Sequence, residues 1–286
     1  MNVGITLPSG GAPGEFARHA EDVGLESVWT GDHLIPLTPR IDSMLTLAQA
    51  AATTTTLKVG FGVLILALRH VVWAAKQVAS LQHLSGGRVL LGVGTGGVVH
   101  GDAAWRAVGV PFDERVSLTF SALDALPSLV AGETTLVDGE SVTLAPGTPM
   151  PPVLVGGGPG ALRQAVRRGL GWYPAFLSPG AISDALLRVD AVPPPVTAQV
   201  AIALGDIPAA QVDAQIKGLM GYGMSEADAR QSLVVGGVAQ AGEHLAALFA
   251  AGAERVVGLP FGGDNVRQAE LLAEAARHVS GATARR

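Results

Sequence analysis

The chain alternates short, apolar, β-branched runs with longer stretches that are rich in alanine and leucine. The short runs end in Gly, Pro, Asp or Thr, and the longer stretches carry apolar residues at helical spacing. Such alternation is typical of βα units that build a parallel sheet covered by helices. The predicted strands are eight, at residues 3–7, 27–30, 59–64, 89–94, 152–155, 171–175, 198–203 and 255–259.

Eight helical stretches lie between and after these strands. Eight strands and eight helices in 286 residues predict an α/β protein with a (β/α)8 TIM barrel, formed by residues 1–286 as a single domain. The alternation by itself leaves an open, doubly wound sheet as the alternative. The predicted helices are residues 14–23, 43–53, 72–83, 114–131, 160–168, 181–189, 208–251 and 264–279.

Two segments interrupt the alternation. Residues 134–144 contain Asp138-Gly139 between alternating residues, which predicts a hairpin inserted between the fourth helix and the fifth strand. Residues 208–242 contain six glycines, so this irregular helical stretch before the eighth strand is expected to be two or more short helices.

Several helix ends are also predicted. Asp113 and Asp264 are expected N-caps, because an aspartate side chain accepts hydrogen bonds from free backbone N–H groups. The residues predicted to follow helix ends in the left-handed conformation are Gly86, Gly132, Gly169 and Gly252.

Charge and cysteine content exclude several classes of protein. Charged residues make up 15% of the chain and the net charge is −5, so the basic stripe needed to bind nucleic acid is absent from the sequence. With no cysteine there is no disulfide, thiolate nucleophile or cysteine-based zinc site, and the scattered histidines predict no metal site.

The hydrophobic segments predict neither a membrane span nor a secretory signal. The densest apolar run, residues 61–68, is far shorter than a spanning helix. The N-terminus, MNVGITLPSGG, lacks a basic region and a long apolar segment. We therefore expect a cytoplasmic protein.

The last residues of each strand are the candidates for function, because barrel active sites lie at the C-terminal ends of the strands. Asp32-His33 is an adjacent acid and imidazole at one such end, and a histidine there can exchange a proton with a substrate oxygen. The structural alternative is that Asp32 caps the loop and His33 hydrogen-bonds to it.

Glycine is frequent at the same strand ends. The run from Gly156 to Gly160 leads into a helix, where free N–H groups could bind a phosphate with help from Arg163, although an ordinary tight turn explains it equally well. Apolar residues near the mouth, among them Leu34 and Trp105, predict a small apolar substrate.

Five segments together resemble the bacterial-luciferase-like superfamily of flavin- and coenzyme F420-dependent oxidoreductases. The resemblance extends from residue 1 to about residue 279. Its most specific part runs from LSGGR to GVGTG. The segments are LESVWTGDHLIP, LKVGFGVLIL, AAKQVASLQHLSGGRVLLGVGTGG, AVGVPFDER and PPVLVGGGPGALRQAVRRGLGW.

The resemblance implies a (β/α)8 barrel that binds F420 or FMN at its C-terminal mouth. It implies that Asp32 and His33 face the polar edge of the ring and the substrate, and that Gly62-Val63 forms a strand bulge, often with a cis peptide. Gly157 and Gly158 match the phosphate-binding loop. The other predicted cofactor-binding residues are Thr6, Gly94, Thr95 and Gly96.

The chain departs from the family at two positions. Gly97 stands where some F420-dependent dehydrogenases carry a proton-donating Glu, so a sugar-phosphate dehydrogenase is not expected. Leu170 replaces a frequent Asp, from which no catalytic conclusion follows.

The leading hypothesis is F420-dependent hydride transfer with a small organic substrate. The alternatives are an FMN-dependent monooxygenase that uses reduced FMN and O2, and a non-catalytic barrel that acts as a binding subunit. The resemblance implies two possible partners: a flavin or F420 reductase that supplies the cofactor, and a second copy of the chain in a homodimer. Neither nucleic acid nor a membrane is expected as a partner.

Overall fold

The computed structural model describes residues 1–97 and 101–283. Within them, the strands are β1 (Asn2–Thr6), β2 (Ser27–Thr30), β3 (Lys58–Ile65), β4 (Val89–Gly94), β5 (Thr135–Val137), β6 (Glu140–Val142), β7 (Val153–Gly156), β8 (Gly171–Tyr173), β9 (Thr197–Leu204), β10 (Leu233–Gly236) and β11 (Arg255–Pro260). The helices are α1 (Pro13–Asp22), α2 (Ser43–Thr53), α3 (Val71–Leu84), α4 (Ala103–Ala107), α5 (Arg115–Ala131), α6 (Pro159–Arg168), α7 (Pro179–Leu187), α8 (Ala209–Gly221), α9 (Glu226–Gln231), α10 (Val238–Ala250) and α11 (Asn265–Thr283).

The main sheet is parallel and runs in the order β10, β9, β11, β1, β2, β3, β4, β7, β8. Two isolated bridges, Trp172 to Val196 and Ala175 to Gln199, connect the β8 and β9 regions and close eight strands into a ring. The extra strand β10 pairs with the C-terminal half of β9. The predicted (β/α)8 barrel is confirmed, in place of an open doubly wound sheet.

The barrel has separate outer and inner sets of buried side chains, because successive residues of a strand face opposite sides. The large outer set packs the strands against the surrounding helices. The inner set includes Trp29 and Tyr173, whose ring centroids are 5.3 Å apart. Gly60 makes room for this pair, since a Cβ there would lie 2.4 Å from the Trp29 ring.

The stretch before the last strand contains one element that the sequence analysis missed. The expectation of several short helices is confirmed by α8, α9 and α10, but β10 lies between them. Leu233 and Val234 are buried in this four-residue strand. The sequence did not reveal it because helical residues flank it on both sides.

Most of the predicted helix ends are observed. Asp264 accepts a hydrogen bond from the Arg267 N–H at 3.0 Å, and Gly132 and Gly169 have positive φ angles of 78° and 65°. The prediction for Asp113 is wrong. The chain enters α5 through the 3-10 turn Phe112–Glu114, so Asp113 lies inside that turn and makes no cap.

The predicted hairpin is confirmed as β5 and β6, which pair antiparallel. Asp138 and Gly139 both have positive φ, as a two-residue hairpin turn requires. The Asp138 carboxylate lies 3.1 Å from His70 Nε2, which holds the hairpin beside the start of α3.

None of the helices in the described ranges combines the length and the apolar character needed to cross a bilayer.

Candidate active site

A cavity of about 180 Å3 lies at the C-terminal ends of β2, β3 and β4. It brings together five of the predicted site residues: Asp32, His33, Gly62, Val63 and Gly96. The remaining lining residues are Gly31, Leu34, Ile35, Ile65, Leu68, Gly97, Gly101, Ala104 and Trp105. Two larger grooves lie away from these strand ends. One, of about 540 Å3, lies at the N-terminal ends of β7 and β8, and the other, of about 640 Å3, lies between α6 and α7.

Asp32 is held from behind the cavity by four hydrogen bonds. Its carboxylate accepts two from the Arg69 guanidinium, at 2.7 and 3.1 Å, one from the Ser43 hydroxyl at 2.9 Å, and one from the Ile65 N–H at 3.1 Å. The Asp32 N–H donates in turn to the Val63 carbonyl at 3.1 Å. These bonds fix the loop after β2 against β3 and the start of α2.

The Asp32–Arg69 pair is largely withdrawn from water. The two side chains are 4% and 21% exposed. Burial alone would lower the pKa of Arg69, but the hydrogen bonds that Arg69 donates to Asp32 and the negative charge of Asp32 raise it. The guanidinium is therefore held in its charged form. Neither Arg69 nor Ser43 was a predicted site residue, and their separation of 37 and 11 residues from Asp32 gives no local signal.

His33 is half-buried at the cavity wall. Its imidazole bends back over the preceding backbone, since a Cβ at Gly31 would lie 3.4 Å from His33 Nε2. The four hydrogen bonds that hold Asp32 thus also fix the position of His33, the next residue in the chain. The prediction that Asp32 and His33 share in the chemistry stays a prediction, and the observed contacts give the two residues different surroundings.

The β3 bulge implied by the resemblance is present. The pairing of β3 with β4 shifts between Phe61 and Leu64, and the Gly62–Val63 peptide bond is cis. The Val63 side chain fills space beside two strand glycines. A Cβ at Gly94 would lie 2.3 Å from Val63 Cγ2, and one at Gly156 would lie 2.6 Å from Cγ1.

The opposite wall of the cavity is formed by Trp105, which is 3% exposed. Its ring packs edge-on against Phe112, with centroids 5.8 Å apart. Gly96 has a positive φ of 71°, and a Cβ there would lie 2.8 Å from the Trp105 ring. Thr95, next to it, is half-buried and does not line the cavity.

Two buried hydroxyls near this region have no hydrogen-bond partner among the described residues. They are Thr6 Oγ1, a predicted cofactor contact, and Tyr173 OH, which was not predicted. Tyr173 OH would lie 2.3 Å from a Cβ at Gly62, and burial raises the pKa of this phenol. Unpaired buried polar atoms are uncommon and call for a water or ligand that completes them.

The predicted phosphate loop lies at the end of β7, outside this cavity. Gly157 has a φ of 130°, and its carbonyl accepts a hydrogen bond from Trp172 Nε1 at 2.8 Å. Gly158 is the N-cap of α6, and both glycines are exposed. Arg163 reaches back to the first turn, with its Nη2 3.8 Å from a Cβ position on Gly160.

Metal ligands do not cluster in the part of the chain that the structure describes, where no three His, Cys, Asp or Glu residues come together.

Comparison with known proteins gives the family. The F420-dependent glucose-6-phosphate dehydrogenase of Kineococcus radiotolerans is 33% identical over 180 residues, which are 56% of this chain and 52% of that protein. The chain thus spans about half the length of that curated relative. Two solved structures share the fold over nearly the whole chain. An F420-dependent secondary alcohol dehydrogenase in complex with an F420-acetone adduct has a TM-score of 0.78 at 16% identity, covering 97% of this chain and 98% of that one.

The second structure is the oxygenating constituent of 3,6-diketocamphane monooxygenase from Pseudomonas putida, in complex with FMN. Its TM-score is 0.74 at 18% identity, and 98% of each chain is covered. Residues 9–206 match the family model described as luciferase-like monooxygenase, which is more than half of the chain. The chain belongs to the luciferase-like monooxygenase family.

Proposed function

We propose that this protein is an oxidoreductase that uses coenzyme F420 to transfer a hydride to or from a small organic substrate. One observation carries the proposal: a single cavity at the strand ends joins Asp32 and His33 to Gly62-Val63 and Gly96. The F420-dependent relative and the F420-dependent structural neighbour support the choice of cofactor.

The residues present fit a flat ring that carries a phosphate. Gly62 and Gly96 line the cavity with backbone and carry no side chain, which suits one face of a flat ring. The exposed N–H groups at Gly158 and the first turn of α6 suit a phosphate. When bound, the deazaflavin would supply the hydride donor or acceptor.

The chain's own residues supply orientation and proton transfer. His33 lines the cavity and would hold or release a proton at a substrate oxygen. Asp32 and Arg69 would keep His33 and the β3 bulge in register with each other.

The second candidate is an FMN-dependent monooxygenase, with reduced FMN supplied by a separate reductase. The FMN-bound structural neighbour favours it, and the loop at Gly157 and Gly158 suits either phosphate. The third candidate, a binding subunit without catalysis, would bind neither cofactor.

The test is titration of the purified protein with F420 and with FMN, followed by fluorescence quenching. We expect F420 to bind more tightly. If FMN alone binds tighter than about micromolar, the monooxygenase replaces the F420 proposal. If neither binds, both enzyme proposals fail.

The phosphate loop is tested in the same titration with Gly158→Asp. A carboxylate at the N-cap of α6 would repel the phosphate, so the affinity for the bound cofactor should fall about tenfold or more. Gly180→Asp is the matched control, because Gly180 follows a proline in the first turn of α7 and has open space around it. Equal affinities of the two variants would show that this loop does not bind the phosphate.

A further inference from the structure

Helices α6 and α7 are neighbours around the barrel but leave a groove between them. Several adjacent helices, such as α1 with α2 and α10 with α11, pack directly against each other, whereas α6 and α7 make few direct contacts. The volume of the groove, about 640 Å3, lies within the roughly 300–1,000 Å3 of small-molecule pockets. The sides of α6 and α7 that face the groove are therefore left without a covering helix.

The floor and walls of this α6–α7 groove are largely apolar. Trp172 of β8 lies at the bottom, where its Nε1 donates to the Gly157 carbonyl at 2.8 Å. The walls consist of apolar side chains that the protein covers only in part, so a ligand that covered them would remove more apolar surface from water. These half-buried wall residues are Val166, Leu177, Ala181, Ala185 and Val189.

The groove is elongated. Its α6 wall extends from Pro159 to Arg167, and at a rise of 1.5 Å per residue this wall is about 12 Å long. Helices α6 and α7 each follow a strand of the same parallel sheet, so the two helices run in the same direction. Their C-terminal ends therefore lie at the same end of the groove, and the shape fits an extended chain.

Arginine side chains stand at the C-terminal end of the groove. Arg167 lies in the last turn of α6, and Arg188 directly follows α7. Arg163 lies one turn before Arg167 on the same wall. All three are exposed, and none of their guanidinium groups forms an ion pair or hydrogen bond with another residue of the ranges 1–97 and 101–283. An anion could bind there without displacing a partner that the protein supplies.

The balance of charge in the groove fits one negative charge on the ligand. Its ionisable lining residues are the three arginines and two aspartates, Asp184 and Asp190, which leaves one positive charge in excess. A single carboxylate would neutralise this excess, whereas a phosphate dianion would exceed it. A cationic ligand would add to it and be repelled.

We propose that the α6–α7 groove is a second binding site, which takes an elongated apolar molecule with one carboxylate, such as a straight-chain fatty acid. The chain lies over Trp172 between the two helices, and the carboxylate lies between Arg167 and Arg188. The site lies outside the strand-end cavity and goes beyond the proposed function.

The test is calorimetric titration of the purified protein, without cofactor, with three probes: decanoate, decyltrimethylammonium and acetate. We expect decanoate to bind with a Kd below about 1 mM, and the other two to bind about tenfold or more weakly than decanoate. No binding of decanoate, or equal affinity for the cation of the same chain length, would overturn the proposal. The result is independent of the proposed function, which fails separately if neither F420 nor FMN binds.

The arginines are tested by combining Arg167→Gln with Arg188→Gln. This double variant reverses the excess charge of the lining, so decanoate should bind about tenfold or more weakly, while decyltrimethylammonium should bind no more weakly than to the wild type. Arg18→Gln is the matched control, because Arg18 is an exposed arginine of α1 that does not line the groove. An unchanged affinity for decanoate in the double variant would contradict the assigned position of the carboxylate.

The position of the chain is tested with Ala185→Trp, which fills the groove from the α7 wall. Decanoate should bind to it about tenfold or more weakly than to the wild type, because the indole occupies the space of the chain. Ala210→Trp, at an exposed position in the first turn of α8, is the control for an added surface tryptophan. Unchanged decanoate binding by a folded Ala185→Trp would place the ligand elsewhere and overturn the proposal. If thermal unfolding shows that this variant does not fold, the arginine variants decide.

Discussion

All the hydrogen bonds that the Asp32 carboxylate accepts come from groups of the protein itself. A carboxylate offers about four acceptor positions, and Arg69, Ser43 and Ile65 occupy four. No position is left for a substrate proton, so the contacts favour a positioning role for Asp32 and leave proton transfer to His33. Adjacent residues at one strand end therefore have separate tasks, which their adjacency in the sequence does not reveal.

Asp32→Asn should destabilise the fold by about 2–4 kcal/mol, because it breaks a largely buried ion pair and leaves Arg69 without its partner. Urea unfolding measures the change. Asp124→Asn, on the surface, should change the free energy of unfolding by less than about 1 kcal/mol. Similar losses of unfolding free energy in the two variants would show that the Asp32–Arg69 pair contributes no more stability than a surface ion pair.

His33→Ala should lower kcat about 100-fold or more and leave the cofactor Kd within about threefold, because a proton-transfer residue acts in the transition state. Steady-state kinetics and fluorescence titration measure the two quantities. His83→Ala, at an exposed position late in α3, is the control. Equal loss in kcat and in cofactor affinity would assign His33 a structural role.

At the scale of elements, β3, β4 and β7 fit together through one side chain and the glycines around it. The Val63 side chain occupies the space that Cβ atoms would fill if residues 92, 94 and 156 were not glycine. The resemblance implies that Gly94 lies beside the cofactor. The observed contact is with Val63, whose side chain occupies the space next to Gly94. Its role toward a cofactor stays a prediction.

Gly94→Ala should destabilise the protein by about 1–3 kcal/mol, since the new methyl group overlaps Val63. Combining it with Val63→Ala should cost less than the sum of the two single changes, because the overlap is relieved. Gly97→Ala is the matched control, because open space surrounds Gly97. Chemical denaturation measures all four variants, and strict additivity of the pair would contradict the packing argument.

The barrel was predictable because its signals are local, whereas the contacts that complete the site are not. Periodicity placed the strands, and Asp138-Gly139 marked the hairpin within a few residues. Strand β10 was missed because it lies between helical segments, in a stretch whose composition favours helix. Arg69 and Tyr173 were missed because their roles depend on neighbours that only the closed barrel supplies.

At the scale of the whole molecule, an ion cluster fastens the barrel at the end opposite the cavity. Glu26 pairs with Arg255 at 2.7 Å and with Lys58 at 2.8 Å, which joins the starts of β2, β11 and β3. Burial alone would raise the pKa of Glu26, but the hydrogen bonds and charge of Arg255, with Lys58, lower it to about 2.

The stability from Glu26 should therefore depend on pH. Its pKa in the folded protein lies below the ordinary 4.5, so the contribution is complete above pH 4.5 and is lost as the pH falls toward about 2. Glu26→Gln should cost up to about 3 kcal/mol at neutral pH, and its difference from the wild type should shrink between about pH 5 and pH 3. Urea unfolding at several pH values tests this, with the exposed Glu140→Gln as control. A difference independent of pH would contradict it.

The ring is held unevenly around its circumference. The β9–β11 junction is a ladder of six residue pairs, whereas β8 meets the β9 region through two isolated bridges. Native-state hydrogen exchange reports such differences, because amides exchange through the opening of least free energy. The amides of Trp172 and Phe176, which donate across this junction, should exchange faster than those of β11. Faster exchange there would mean that the barrel opens first between β8 and β9, before the other strand pairs separate.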